Sequence, residues 1–439
     1  MALFPIRMRG WASRLAGRIS PARKAAFELL LELRRKPQSH SDLLLRSKPV
    51  EALSEVDKNL ATMLVMGVLR WQLVLQQRIR EALTKSKGHL ADPVEVSLEL
   101  GALQLLLLDR IPARAAIFES VELVRQSGNE YAVGLVNAVL RKLAETPKLD
   151  ASDASAAHPS WMVDRWVAAY GRETADAICR YDQLPPPTTI RVNSPEDEGP
   201  QFGPGTFVVR ARRVEEVAGS MRIQDEGSQL IAELAGRGTE ILDCCAAPGG
   251  KTAILAERNP TASITACDIS PARLTAMQAF LGRQSGIHFL VLDATELPFH
   301  QQFDLVLCDA PCSGTGTMAR NPEIRHRITQ DDFHRHHDRQ LRLLRSAMRS
   351  LRDGGRLIYS TCSLEAEENE TVVAEALEQE NGFQLLPWKE QIRAQEREAT
   401  LHKGTAERLF PNNAPDHFLR IFPGLYPGDG FFAACLVRK

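Results

Sequence analysis

Apolar residues recur along the first third of the chain at helical spacing. In "AAIFESVELVRQ", Ile117, Val121 and Val124 fall four and three positions apart, and in "YAVGLVNAVLRKLA" Val136, Leu140 and Leu143 repeat that step. Each pattern predicts an amphipathic helix with one stripe turned to a core. "PARKAAFELLLELRR" opens with Pro21 after Ser20, a favourable helix start because proline's fixed φ suits the first turn. "VEVSLELGALQLLLLDRIP" is apolar nearly all round and predicts a central buried helix. These stripes are the core of a helical bundle, so any function in this part belongs to its outer, polar faces.

The period changes near residue 238. Five apolar runs of strand length follow: "TEILDCCA", "SITACDIS", "HFLVLDA", "FDLVLCDA" and "GRLIYSTCS". Helical segments alternate with them, among them "GKTAILAERN", "PARLTAMQAFLGRQ" and "DDFHRHHDRQLRLLRSAMRSLRDGG". Near-continuous Val/Ile/Leu strands alternating with helices predict a doubly wound, mostly parallel sheet covered on both faces, and "DGFFAACLVRK" predicts a last, antiparallel strand. Between the two halves, "KLDASDASAAHPSW" reads as a connector ending at His158-Pro159, and "PPPTTIRVN" and "GTFVVR" read as short strands. The expected division is a basic tail over 1–21, a helical domain over 22–147, a linker with a small α+β subdomain over 148–235, and an α/β domain over 236–439.

Length and composition agree with more than one soluble domain: 439 residues, 44% hydrophobic and 25% charged. No apolar run is long enough to span a bilayer, so no membrane attachment is expected. The net charge of -1 hides an asymmetry, because residues 1–150 hold 23 basic against 16 acidic side chains and the remainder 31 against 39. The first fifty residues hold 11 basic and 3 acidic. A basic front half points to a polyanionic partner, though a solvated helical surface would give the same balance. The opening "MALFPIRMRGWASRLAGRIS" has the composition of a transit peptide, an RNA-touching tail or a disordered extension. The eight cysteines cluster at the ends of apolar runs with no C-x-x-C pair and no secretory signal before them. Reduced thiols in a cytoplasm are expected, and no metal site.

Ligands of doubly wound sheets sit at the carboxyl ends of the strands, where the unusual residues of this half fall. After the first strand come Asp243, Cys244, Cys245, Ala246, Ala247, Pro248, Gly249, Gly250, Lys251 and Thr252. Small residues and glycines admit a ligand close to the backbone. The run matches neither G-x-G-x-x-G nor the P-loop, so a nucleoside without a phosphate chain fits better than a nucleotide. Asp268 ends the second strand, where an acid commonly holds a ribose hydroxyl pair; the competing role, a helix cap, is already filled by Ser270. Asp293 ends the third and suits an adenine amino group or, equally by spacing, a turn. Arg273, just beyond Asp268, joins this cofactor-binding set. Carboxylates at successive strand tips suit an adenosine with a cationic end, which is S-adenosylmethionine.

The fourth and fifth strands add Asp309-Ala310-Pro311-Cys312 and Ser360-Thr361-Cys362-Ser363. Two thiols facing a methyl donor suit covalent chemistry on cytosine. A thiolate added at C6 makes C5 nucleophilic, and loss of the C5 proton with expulsion of the thiol restores the ring. Asp309 is placed to hold or protonate N3, and Lys251 is a candidate cation to favour a thiolate. Read alone, Cys312 looks like the nucleophile.

"DCCAAPGGKT", "LCDAPCSGTG", "NPEIR" and "YSTCSLEAEENE" resemble the motifs of RNA cytosine-C5 methyltransferases of the Sun/Fmu (RsmB-like) group. "RIPARAAIFESVELVR" with "GLVNAVLRKL" resembles the NusB-like RNA-binding domain of that subgroup, and "IRVN", "IQDEGSQL" and "GDGFFAACL" are also similar to family segments. The resemblance runs from about residue 22 to the end. It implies that Cys245 through Lys251 line the S-adenosylmethionine pocket, with Asp268 on the ribose, Asp293 on the adenine and Asp309 beside methyl donor and base. It further implies Cys362 as nucleophile and Cys312 as the thiol that assists release, reversing the first reading. Cys244 and Cys308 depart from the family's aliphatic residues and are expected simply to pack. The stretch between Phe410 and Tyr426 is longer than the family pattern. The substrate implied is one cytosine of 16S ribosomal RNA, with the protein expected to be a monomer. Arg325 and Arg327 of "RHRITQ" are expected phosphate contacts. The alternatives are a cytosine-C5 methyltransferase for another RNA such as tRNA, or a methyltransferase-like RNA-binding assembly factor. Amino-directed N-methyltransferases and DNA cytosine methyltransferases leave Cys362 without a role.

Overall fold

The computed structural model describes residues 19–36, 39–83, 88–197, 203–217, 221–282, 286–411 and 415–439. Residues 1–18, most of the expected basic tail, lie outside the described residues. The chain forms two compact units. One runs to Pro185 and also takes in Met318–Arg327; the other comprises Pro186–Thr317 and Ile328–Lys439.

The first unit is helical. Its longer helices are Pro21–Arg35, Glu55–Ala82, Asp92–Leu107, Ala113–Gln126, Val133–Leu143, Ser160–Tyr170 and Arg172–Asp182. Asp92–Leu107 is the all-round apolar segment, and it is buried almost without a break from Val94 to Leu107. Val136, Leu140 and Leu143 are buried as the period required. The unit does not end at the expected division after residue 147. Asp150 caps a short 3-10 turn, Ala154 and Ala157 are buried, and two further helices follow. His158, the expected boundary residue, is itself buried, with Nδ1 3.0 Å from the Ala154 carbonyl and Nε2 3.1 Å from Asp182 Oδ2. A Ser/Asp/Ala run has the composition of a linker, but its alanines are small enough to pack closely.

The segment Met318–Arg327 overturns another expectation. Arg325 is 1% exposed and donates to the carbonyls of Arg70 (2.9 Å), Ala157 (3.2 Å) and Asp182 (3.4 Å). Arg70 donates in turn to the Ala319 carbonyl at 2.7 Å, and Glu323 accepts from the Ser41 amide and hydroxyl at 3.1 and 2.8 Å. Arg327 donates to the Ser39 carbonyl. Arg325 is therefore turned away from any phosphate, since it is buried and both its Nη groups donate to buried main-chain oxygens. Burial pushes its guanidinium down from the ordinary value, against the pull of Asp182 and Cys179.

The second unit begins with four short strands, β1 (Thr188–Arg191), β2 (Gly203–Pro204), β3 (Ala211–Val214) and β4 (Arg222–Ile223), in the order β2-β3-β1-β4. "GTFVVR" is not a strand; only Val208 forms an isolated bridge, to Leu401, and the strand starts at Ala211. The main sheet contains β5 (Glu240–Asp243), β6 (Ser263–Asp268), β7 (Ile287–Val291), β8 (Phe303–Asp309), β9 (Leu351–Thr361), β10 (Phe383–Leu385), β11 (Phe418–Ile421) and β12 (Phe431–Arg438). Its order is β10-β12-β9-β8-β5-β6-β7, with β11 on β12. β5 through β9 pair in parallel and β12 runs antiparallel to β9, as the sequence predicted. Side chains alternate between two buried faces: Ile241, Leu305, Leu307 and Ile358 enter one core, while Leu242, Val306, Leu357 and Tyr359 enter the other. Cys244 and Cys308 belong to the second core and pack there. β5 lies between β6 and β8, so the strand order reverses at its carboxyl end and opens a crevice there.

Candidate active site

The loop after β5 is pinned on both sides. The Cys244 amide donates to the Leu307 carbonyl of β8 at 2.9 Å, and the Ala246 amide to the Cys267 carbonyl of β6 at 2.8 Å. Helix Gly250–Arg258 starts at once. Gly250 is tightly placed: a Cβ there would lie 3.1 Å from Gln224 Nε2. Asp243, at the strand tip, is buried and accepts from Thr252 Oγ1 at 2.7 Å. Burial pushes its carboxyl up to about 7; the Asp309 charge adds to the rise, and the Thr252 hydrogen bond and the Lys251 charge oppose it.

Asp268 ends β6, is buried, and accepts from the Ser270 amide at 2.8 Å. Ser270 caps the helix Pro271–Leu281, as expected. Arg273 reaches both the expected ribose acid and the loop: Nη1 is 3.3 Å from Asp268 Oδ2, and Nη2 donates to the Ala247 carbonyl at 2.7 Å. Asp293 caps a 3-10 turn, accepting from the Thr295 amide and hydroxyl at 3.0 and 2.8 Å. Those two hydrogen bonds hold its carboxyl below the ordinary range. The turn role weighed for it in the sequence is thus real, and it leaves Oδ2 outside the capping bonds.

Asp309 ends β8 beside Ser360 of β9, its register partner. Oδ1 accepts from Ser360 Oγ at 2.7 Å, and Oδ2 from Lys251 Nζ at 2.7 Å. Burial works against the Lys251 charge. Asp309, by charge and hydrogen bond, and then Cys362 and Asp243 outweigh it and hold the ammonium above its ordinary value. Lys251 Nζ also stands 5.4 Å from the centroid of the Phe431 ring. Cys312 and Cys362 meet with their sulfurs 3.4 Å apart. The hydrogen bond to Cys362, and then burial, push the Cys312 thiol well up. The structure therefore gathers Lys251, Asp309, Cys312 and Cys362, and puts Asp268 with Arg273 on the neighbouring strand end.

Several contributors had no signal of their own in the sequence. Gly316 is one: its amide donates to the Cys362 carbonyl at 2.9 Å, and a Cβ there would fall 2.8 Å from that oxygen. Glu365, Glu367 and Glu368 follow the second cysteine, yet only Glu365 and Glu368 are buried. Spacing does not say which acid turns inward.

Known proteins give the same picture. A family model described as 16S rRNA methyltransferase RsmB/F matches residues 233–437, the NusB family matches 20–145, and a ferredoxin-like domain of RsmF/B-like methyltransferases matches 158–197. The fold and the matched families are those of an RNA methyltransferase of the doubly wound class carrying a NusB domain. Ribosomal RNA small subunit methyltransferase B of Escherichia coli O17:K52:H18 is 31% identical over 451 residues, 95% of this chain and 98% of that protein. The "Probable ribosomal RNA small subunit methyltransferase B" of Bacillus subtilis strain 168 is 31% identical over 455 residues, with the same coverage. The crystal structure of PH0851 shares the fold, with a TM-score of 0.74 at 23% identity over 96% of this chain and 99% of that one. The chain belongs to the RsmB/F family of 16S rRNA methyltransferases.

Proposed function

We propose that the chain methylates C5 of one cytosine in 16S ribosomal RNA, using S-adenosylmethionine, through a covalent bond between Cys362 and C6 of the base. The observation that carries this reading is the meeting of two thiols beside a lysine–aspartate pair at the tips of β8 and β9. A methyltransferase directed at an exocyclic amine needs neither thiol.

The residues present fit the methyl donor. Ala246, Ala247, Gly249 and Gly250 give the β5 loop little or no side chain, and a Cβ on Gly250 would crowd Gln224 Nε2 at 3.1 Å. Buried Asp268 offers a carboxylate to a ribose diol, and Arg273 ties that acid to the Ala247 carbonyl. Cys245, Pro248 and Asp293 complete the set. S-adenosylmethionine supplies the methyl group as an electrophilic sulfonium.

The chain's own groups then divide the work. Lys251 carries positive charge that interacts with Cys362, the sulfur that adds to C6. Asp309, oriented by Ser360 and Lys251, carries a proton to N3 as the thiolate adds and the ring becomes an enamine, and takes it back when the thiolate leaves. After C5 has gained the methyl and given up its proton to solvent water, Cys362 must leave. Cys312, a thiol held protonated at 3.4 Å, hydrogen-bonds the departing sulfur. The helical unit takes the RNA-binding role. No helix among the described residues is long and apolar enough to cross a membrane; the proposal is of a monomeric cytoplasmic enzyme.

The test is transfer of tritium from labelled S-adenosylmethionine to unmodified 16S RNA, with the product mapped by nuclease digestion and mass spectrometry. Label in 5-methylcytosine at one position supports the reading. Label in another base, or none, overturns it.

A further inference from the structure

The two cysteines lie on separate loops fifty positions apart, and something must hold their sulfurs in register. Cys312 is followed by Ser313 and Cys362 by Ser363. Both serines converge on one side chain. Glu368 is 0% exposed and accepts from the Ser313 amide at 2.8 Å, from the Ser313 hydroxyl and from the Ser363 hydroxyl. Its fourth donor is Gln340 Nε2 at 3.1 Å, which also donates to the carbonyl of Pro311 at 3.0 Å. The carboxylate thus touches the residue after each cysteine directly, and through Gln340 the residue before one of them.

We infer that Glu368 is the positioning residue that registers the Cys312 thiol against the Cys362 thiol, so that the second sulfur can serve the release of the first. This inference rests on the covalent reading above. The reason lies in hydrogen-bond supply. Glu368 presents two oxygens with no donor of their own, and four donors from three elements satisfy them. The two serine hydroxyls also lie 3.1 Å from each other, a contact that depends on Glu368 holding both, and neighbouring contacts fix the same loops without joining the serines through one group. Asn369 accepts from Thr361 Oγ1 at 2.6 Å and donates to the Ser363 carbonyl at 2.9 Å, while Thr315 Oγ1 accepts from the Leu364 amide at 2.9 Å. Glu368 is fully buried with its oxygens held by those four donors, so it acts through the thiols.

Glu368→Gln replaces one accepting oxygen by an NH2 that faces donors, so the serines should part. Two measurements on the full-length protein separate positioning from plain stability. The first is the rate at which diamide, which takes up the two thiol hydrogens, joins Cys312 to Cys362 without RNA, read by peptide mass spectrometry. It should fall about tenfold or more, as a displacement near 1 Å can do. The second is turnover: kcat should fall with little change in KM for RNA, and a denaturation-resistant protein–RNA complex should build up, as for Cys312→Ala. Crosslinking within about twofold of the parent, or slower crosslinking with unchanged turnover and no complex, would overturn the inference. If Glu368→Gln does not fold, Ser313→Ala removes a single donor and should slow crosslinking in the same sense; no change there overturns it equally. Loss of the covalent reading is separately visible, because Cys362→Ala would then keep its methylation while the crosslinking result stood.

Discussion

The sulfurs of Cys312 and Cys362 stand 3.4 Å apart, although fifty residues separate them in the chain. The Lys251 ammonium, paired with Asp309, interacts with Cys362, whereas Cys312 meets Cys362 and feels the buried Glu368. The two thiols are therefore chemically unequal. Cys362→Ala should abolish methylation and leave no adduct. Cys312→Ala should still attack and then stall, accumulating a protein–RNA complex that survives denaturing electrophoresis. The opposite pattern would exchange the roles.

Lys251→Met removes the cation beside Cys362 and leaves Asp309 with Ser360 alone. Alkylation of Cys362 by iodoacetamide at neutral pH should slow about tenfold, and kcat should drop by about a hundredfold, because the thiolate is the reactive form. Equal alkylation rates in parent and variant would remove Lys251 from this role.

Asp243 predicts a pH dependence of stability. Its carboxyl titrates near 7 in the fold against 3.8 as the ordinary value, with burial as the main cause. Between those values the folded protein keeps a proton that the unfolded chain has lost. The contribution is therefore full below the lower value and disappears as pH rises through the upper one, by about 1.4 kcal/mol per unit. Asp243→Asn cannot titrate and still accepts from Thr252. Its Tm should decline less between pH 5 and 7 than that of the parent in paired calorimetric scans.

Arg325 gives a prediction opposite to the one its sequence invites. Arg325→Met removes the buried side-chain donor that the Arg70, Ala157 and Asp182 carbonyls share, and unfolding free energy should drop by about 2–4 kcal/mol. The salt dependence of RNA binding should keep its slope, since no phosphate contact is lost. A shallower slope with unchanged stability would restore the phosphate-contact role.

Much of this site is legible in the sequence because parallel strands announce themselves. Continuous Val/Ile/Leu runs fix where β5, β6, β8 and β9 end, and a doubly wound sheet exposes whatever follows those ends. Asp268, Asp309, Cys312 and Cys362 could thus be assigned to one crevice before any contact was known. The helical stripes gave the first unit its core in the same way. Local pattern could not tell that "ASDASAAHPSW" packs, because small polar and apolar residues serve linkers and tight cores alike. Nor could it tell that Arg325 turns inward, because a guanidinium is buried only when distant carbonyls happen to surround it.

The chain by itself determined the alternation of strands and helices, and with it which residues stand at the strand tips, since both follow from the period of apolar positions. Only the tertiary structure decided the partners of those residues: Lys251 on Asp309, Ser313 and Ser363 on Glu368, Arg325 on main-chain oxygens. Hydrogen bonds and charges act over a few ångströms, and all but the Ser363 contact join residues more than fifty or more than two hundred positions apart, a separation that no period in the sequence records.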